Sequence, residues 1–404
     1  MSKLPAAPST RPPIKVLSVV GARPNFVKIA PLMAEMRKHG GIRPLLVHTG
    51  QHYDPEMSDS FFQDLGIPQP DINLEVGSSS AALQIAQIME RLAPVLVEER
   101  PALVVVVGDV NSTLAGALAA VKQGLRVAHV EAGLRSFDRT MPEEINRLVT
   151  DAISDFLFAS EPSGVENLLK EGRPASRIFL VGNVMIDSLK NCLGRAERLE
   201  PFADPEVWGH NASNWPTRFA LVTLHRPSTV DNSLALQSVW QALTEIGKEI
   251  PIVFPVHPRT RKRLRDLGLD SPEIPLPSAP RLGIRLVSPL GYLRFLRLES
   301  LATFVITDSG GIQEETTALG VPCLTVRENT ERPITVSEGT NTLVGFDAER
   351  LKEEAQRILS GRGKQGRVPG LWDGQAAARI VGILEEHLQA GYAGRTRAEA
   401  SALE

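Results

Sequence analysis

Short apolar runs recur along the chain, each passing into a glycine, an acid or a proline and then into a stretch with helical periodicity. Residues 14–20, IKVLSVV, end in Gly21 and predict a parallel strand buried on both faces. GARPN then turns the chain into a helix predicted over 26–37. The alternation continues with strands at 45–48, 102–107, 126–130, 155–158 and 177–181. Between them lie a helix at 81–98, a small-residue helix running through Ala120, and a helix opened by Gly182-Asn183. Residues 200–216, with Pro, Trp and Asn, break the pattern and predict a loop near a domain boundary. The alternation then restarts, with strands at 219–223, 251–256, 284–287, 303–307 and 321–326, a Pro-rich surface loop at 267–282, and a closing helix at 374–388. No 20–50-residue repeat underlies the two halves. The simplest architecture is α/β: two Rossmann-like, doubly wound domains facing each other across a cleft. The expected boundaries are a disordered tail at 1–13, a first domain at 14–190 with the helix 374–390 packing back on it, a nucleotide-binding domain at 191–373, and a frayed end at 391–404.

Composition narrows this picture. At 404 residues, 42% of them hydrophobic and 23% charged, the chain has the make-up of an ordinary globular protein of two domains. A net charge of -3 gives no reason to expect nucleic acid as a partner. Cys192 and Cys323 are far apart and have no metal-ligand neighbours at useful spacing, which suits a reducing cytosol and predicts no metal. No apolar run reaches the length of a membrane span, and the N-terminus lacks the apolar core of a signal peptide.

The richest stretch is 129–147, HVEAGLRSFDRTMPEEINR. It leaves a buried strand, carries Glu131, turns at Gly133 and enters a helix headed by Glu143 and Glu144. Open α/β folds place their chemistry in such loops. Taken singly, the acids have structural readings: Thr140 and Glu143 fit a capping box, and Glu143 can pair with Arg147 at i, i+4. Their clustering with His129, Arg135, Asp138 and Arg139 points to a site. The strand at 102–107 delivers Asp109, either as an N-cap or facing the crevice. Two adjacent parallel strands would set Asp109 and Glu131 at one sheet edge. Arg23 and Lys28, beside the first glycine turn, are diphosphate contacts or plain surface cations. His52, in the polar loop TGQHY, is weak evidence alone.

In the second half, Ser309-Gly310-Gly311 lies between a buried strand and a helix. Glycines there let a phosphate reach backbone N–H groups at the positive end of the helix dipole, although a plain flexible turn has the same sequence. Glu315, one turn further, would repel phosphate but suits the two hydroxyls of a ribose. His225-Arg226 and Arg332 supply charge from neighbouring strand ends, and His257 follows the strand at 251–256. These are the parts of a nucleoside diphosphate site, with acids supplied by the other domain.

The motifs GARPNFVKIAPL, TGQHYD, GDVNST, HVEAGLRSFDRTMPEEINR, VTLHRPSTVDN, PVHPRT, TDSGGIQEE and ERP occur in fixed order. In them the chain resembles the non-hydrolysing UDP-N-acetylglucosamine 2-epimerases, from about Val16 to about Leu388. The resemblance implies the glycosyltransferase-B arrangement, a cytoplasmic homodimer, no cofactor and no metal. It implies reversible C2 epimerisation of UDP-GlcNAc to UDP-ManNAc, by loss of UDP to give 2-acetamidoglucal and re-addition. The related 2-epimerase of UDP-2,3-diacetamido-2,3-dideoxy-glucuronate shares every motif, and a UDP-sugar-binding protein without turnover is a further alternative. Carried over by position, Asp109, Glu131, Glu143 and His225 match catalytic residues. Arg23, Ser309, Gly310 and Gly311 match diphosphate contacts. Phe295 matches the aromatic at the uracil, Glu315 the ribose ligand and Arg332 a UDP-side arginine. Lys28, His52 and His257 match polar cleft positions, and Arg135 and Arg226 are expected to join them as substrate-binding cations.

Overall fold

The structure is a computed structural model that describes residues 13–50, 62–200, 207, 218–269 and 282–401, with side chains through 389. His52, most of the expected N-terminal tail, the boundary loop at 200–216 and the Pro-rich loop at 267–282 lie largely or wholly outside the described residues. The chain divides into two compact units, Met1–Ser188 with Asp373–Glu404, and Leu189–Trp372.

The first unit holds seven parallel strands: β1 (Ile14–Val20), β2 (Ile42–His48), β3 (Ile72–Asn73), β4 (Leu103–Val107), β5 (Arg126–Val130), β6 (Phe156–Ala159) and β7 (Ile178–Leu180). Their order is β3-β2-β1-β4-β5-β6-β7. β4 is buried at every position, because helices cover both faces of the sheet. One face packs against the helices Arg23–Met36 and Ala376–Ser401, through Phe26, Ile29, Met33, Ile380 and Leu384. The other packs against Ala81–Glu99 and Asn111–Lys122, through Ile88, Leu92, Ala115 and Ala119. Asp187 ties the last helix down: its carboxylate accepts the Ala376 and Ala377 N–H groups at 3.2 and 2.7 Å, using donors that a helix start leaves unmatched. That helix is described as far as Ser401.

The second unit holds β8 (Ala220–Thr223), β9 (Ile252–Pro255), β10 (Ile284–Val287), β11 (Phe304–Thr307), β12 (Cys323–Thr325) and β13 (Asn341–Leu343), ordered β10-β9-β8-β11-β12-β13 and all parallel. Helices Ser233–Ile246 and Ala348–Leu359 cover one face; Tyr292–Leu301 and Gly310–Leu319 lie against the other. Strand order reverses between β1 and β4 in the first sheet and between β8 and β11 in the second, the switch points where doubly wound folds place ligands. Among the described residues, no helix is long and apolar enough to cross a membrane.

Candidate active site

In the first unit, β4 and β5 run side by side, so Asp109 and Glu131 leave the sheet at the same edge. Glu131 has a left-handed backbone, φ 74°, unusual for a residue with a side chain. Its N–H and that of Ala132 both donate to the Phe158 carbonyl at 3.0 Å, which holds the turn. The strain sits at the residue offered for catalysis. The Glu131 carboxylate is buried and ion-paired with Lys28, which reaches it from the helix Arg23–Met36. Gly108 makes that reach possible, since a β-carbon there would come within 2.8 Å of the Lys28 Nζ.

Asp109 is held by Arg147, whose Nη1 lies 2.5 Å from the aspartate Oδ2, and the Asp109 carbonyl accepts Asn146 Nδ2 at 2.8 Å. The N-cap of the following helix is Val110, not Asp109. Arg147 also reaches Glu144, with its Nε at 3.0 Å and Nη2 at 2.6 Å from Oε2. Glu144 in turn accepts the Ser136 and Phe137 N–H groups, each at 3.0 Å. Burial would raise its pKa, but the Ser136 N–H and Arg147 outweigh it and hold the carboxyl below its usual range. The expected Glu143–Arg147 pair is therefore corrected: Arg147 is 2% exposed and faces inward, so a rule for solvated helix faces fails. The capping box is corrected too. The helix Pro142–Ile153 starts behind Met141, and the Thr140 hydroxyl donates to Asp138 at 2.6 Å. Glu143 is left half-buried, with no hydrogen bond or ion pair among the described residues.

Arg135, expected as a substrate-binding cation, is engaged by neighbouring residues of the first unit. Its Nε and Nη2 donate to the two Glu171 oxygens at 2.7 Å, Nη2 also pairs with Asp151 at 2.7 Å, and Nη1 donates to the Leu134 carbonyl. Four of its five N–H donors are taken in this way, and the side chain is buried. Asp151 also binds His129 at 2.6 Å and the Gly133 N–H at 3.0 Å, while the other His129 nitrogen meets the Gly108 carbonyl at 2.8 Å. This buried network braces the loops carrying Asp109 and Glu131 without entering the site. Burial pushes Asp151 up, yet His129 and Arg135 hold it below the usual carboxylate range. Arg135→Gln is expected to cost about 3 kcal/mol in urea unfolding by leaving Asp151 underpaired, with KM unchanged; an increased KM at unaltered stability would restore Arg135 to the substrate contacts.

Arg23 opens its helix behind the turn at Gly21. Asn25 Oδ1 accepts the Gly21 and Ala22 N–H groups at 3.2 and 3.3 Å, and its amide donates to the Val107 carbonyl at 2.8 Å. A β-carbon on Gly21 would overlap the hydroxyls of Ser112 and Thr49, so the close approach requires glycine.

In the second unit, β8 and β11 are neighbours, and His225-Arg226 and Asp308 to Gly311 leave the sheet together. Asp308 is fully buried and accepts the His225 N–H at 3.0 Å and the Arg226 N–H at 2.9 Å; its Oδ1 lies 3.2 Å from His225 Nδ1. Burial would raise its pKa, but His225 and the backbone donors keep it below the usual range. The sequence put Asp308 in the loop without giving it this role. Ser309 caps the helix Gly310–Leu319 through its backbone, with no side-chain bond and no acid in the first turn, which keeps that end positive. Arg332 lies over Gly310: a β-carbon there would sit 2.7 Å from its Nη1. Arg332 is buried against Glu314 and Glu331 at 2.9 and 2.8 Å, and Glu331 also binds Arg327 at 2.8 Å and Arg226 at 3.3 Å. Burial would raise Glu331, but Arg332, Arg327 and Arg226 bring it well below the carboxylate range. Phe295 is half-buried on the helix Tyr292–Leu301, and Glu315 is buried with its Oε1 accepting the Tyr292 hydroxyl at 2.7 Å. His257 is exposed, and its ring Nδ1 accepts the Arg259 N–H at 3.3 Å at the start of a helix.

Two doubly wound units, one with the strained Glu131 and the ion-paired Asp109 after neighbouring strands, the other with a glycine turn and buried arginines, are the layout of an α/β enzyme that handles phosphorylated substrates. The family model for UDP-N-acetylglucosamine 2-epimerase matches residues 34–385, and the chain belongs to that family, whose members are isomerases. The chain is 41% identical over 376 residues to the UDP-N-acetylglucosamine 2-epimerase of Methanocaldococcus jannaschii, covering 92% of this chain and 99% of that one. It is 38% identical to the UDP-2,3-diacetamido-2,3-dideoxy-D-glucuronate 2-epimerase of Pseudomonas aeruginosa, over the same shares. The crystal structure of the M. jannaschii enzyme in complex with UDP-GlcNAc and UDP matches with a TM-score of 0.82 at 40% identity, covering 92% of this chain and 100% of that chain.

Proposed function

We propose that the chain interconverts UDP-GlcNAc and UDP-ManNAc. The C2 hydrogen of the sugar is not acidic, so its removal is coupled to loss of UDP from C1. A carboxylate takes the C2 proton as the C1–O bond breaks, leaving 2-acetamidoglucal and UDP. UDP then adds back at C1 while a proton is delivered to the opposite face of C2. The sequence is redox-neutral and needs only an acid, a base and cations for the departing diphosphate. Asp109, Glu131, Glu143 and His225 are the proton-moving candidates. Arg23, Lys28, Arg226, Arg332 and the N–H groups at Ser309, Gly310 and Gly311 face the diphosphate. Glu315 takes the ribose and Phe295 the uracil, and His52 and His257 are further polar contacts to the substrate. The observation that carries the reading is Glu131, held in a left-handed turn after β5 and ion-paired with Lys28 from the helix that follows β1. The enzyme acts as a cytoplasmic homodimer, and its two units are the domains that hold sugar and nucleotide.

Incubation with UDP-GlcNAc in deuterated water is expected to give UDP-ManNAc with deuterium at C2. Free UDP and ManNAc accumulating together would overturn epimerisation in favour of hydrolysis. The likeness to the P. aeruginosa enzyme favours one second reading: exchange with the diacetamido-glucuronate alone would assign the chain that substrate.

A further inference from the structure

The most unusual group outside the proton-transfer set is Glu299, on the helix Tyr292–Leu301. It is fully buried, and neither carboxyl oxygen meets a hydrogen-bond donor among the described residues. Its side chain instead meets the carboxyl of Glu315, on the neighbouring helix Gly310–Leu319. Glu315 already accepts the Tyr292 hydroxyl at 2.7 Å. Two carboxyls buried side by side do not both ionise, and a carboxyl that faces only a carboxylate makes a hydrogen bond by keeping its own proton.

We propose that Glu299 stays protonated and donates to Glu315, which makes it the positioning residue for the carboxylate that receives the ribose, and that nucleotide binding draws a proton off Glu315. This rests on reading Glu315 as the ribose ligand. Tyr292 and Glu299 fix the Glu315 carboxylate from one side, and the ribose hydroxyls donate to its remaining lone pairs. Each of these donors favours the ionised form. The other titratable groups around the pair are Glu314 on the same helix, Cys192 from the helix Val184–Ala196 and Cys323 on β12. None of them is a cation that would hold Glu315 ionised. Burial raises the Glu299 carboxyl well above its ordinary value, and the neighbouring Glu315 charge adds to this. Burial also pushes Glu315 up to about 7, against the Tyr292 and Glu299 hydrogen bonds and with the charge of Glu314. The affinity for the nucleotide therefore falls as pH drops below that value, when the ligand must displace a proton.

The test is UDP binding by calorimetry between pH 5.5 and 8.5, with full-length wild type, Glu299→Gln and Glu299→Leu. Glutamine keeps a donor toward Glu315, and its affinity and pH midpoint are expected to stay within about threefold and a few tenths of a unit of wild type. Leucine fills similar space but removes the donor. At pH 6.5 it is expected to weaken UDP about tenfold or more, to move the midpoint up by about one unit, and to recover at pH 8.5. The titration of the UDP phosphate is common to all three proteins and cancels in the comparison. A Glu299→Leu profile that superimposes on wild type overturns the proposal and leaves the ribose reading standing. So does a Glu299→Gln variant that binds tighter with a lowered midpoint, because Glu299 would then be the ionised member. Equal wild-type affinity for UDP and 2′,3′-dideoxy-UDP would remove Glu315 from the ribose, and the proposal with it.

Discussion

Glu131→Gln is expected to lower epimerase turnover by about 10²–10⁴-fold while UDP still binds within about threefold of wild type. The substitution is close to isosteric, so the left-handed turn held by the Phe158 carbonyl has no steric reason to change. The amide oxygen can still accept from Lys28, which spares the protein an unpaired buried cation. What is lost is the ability to take or give a proton. The nucleotide contacts proposed at Ser309, Gly310, Gly311 and Arg332 are untouched, so binding and chemistry separate cleanly. Three measurements check this: kcat for UDP-ManNAc formation, deuterium incorporation at C2, and calorimetric UDP affinity. Turnover within about threefold of wild type would remove Glu131 from the proton-transfer set. Loss of UDP binding along with turnover would place its role in folding or nucleotide capture instead.

Most strands could be read from the sequence because parallel strands covered on two faces are largely apolar, as β1 and β11 are and β4 is throughout. β3 and β13 escaped notice: they are edge strands of two and three residues, too short to carry a pattern. The glycine turns and the acids following strands were also readable, since both depend on local backbone chemistry. Partner choice was not. Arg135 binds Glu171, 36 positions away, and Arg147 binds Asp109, 38 positions back. Such pairs depend on how helices dock on the sheet, and residue spacing does not encode that. The helix-face rule that suggested Glu143 for Arg147 assumed solvent, and the inward tilt of the helix selected Glu144 instead. The same gap hid Glu299, which reads as one more polar residue on a helix until its buried carboxyl proves to face that of Glu315.

Gly133→Ala is expected to cost about 4 kcal/mol or more, enough to leave the protein largely insoluble or melting far below wild type. Two penalties act together. The residue sits at φ 83°, where a β-carbon is strained whatever the space around it. The new methyl would also lie 2.2 Å from the Gly164 carbonyl oxygen and 2.7 Å from its carbon, and backbone cannot rotate aside as a side chain can. Moving residue 133 away would break its N–H bond to Asp151 and its carbonyl bond from Asn167 at 2.9 Å, and would pull on Glu131 two residues earlier. Gly124→Ala separates the two penalties. Gly124 has φ 71° but open space around it, so alanine there carries the backbone strain alone, about 1 kcal/mol. Thermal unfolding of both variants is the measurement. If Gly133→Ala loses no more than Gly124→Ala, the loop bearing Glu131 does not press against the helix Pro162–Lys170 as closely as described, and the account of how that turn is held fails.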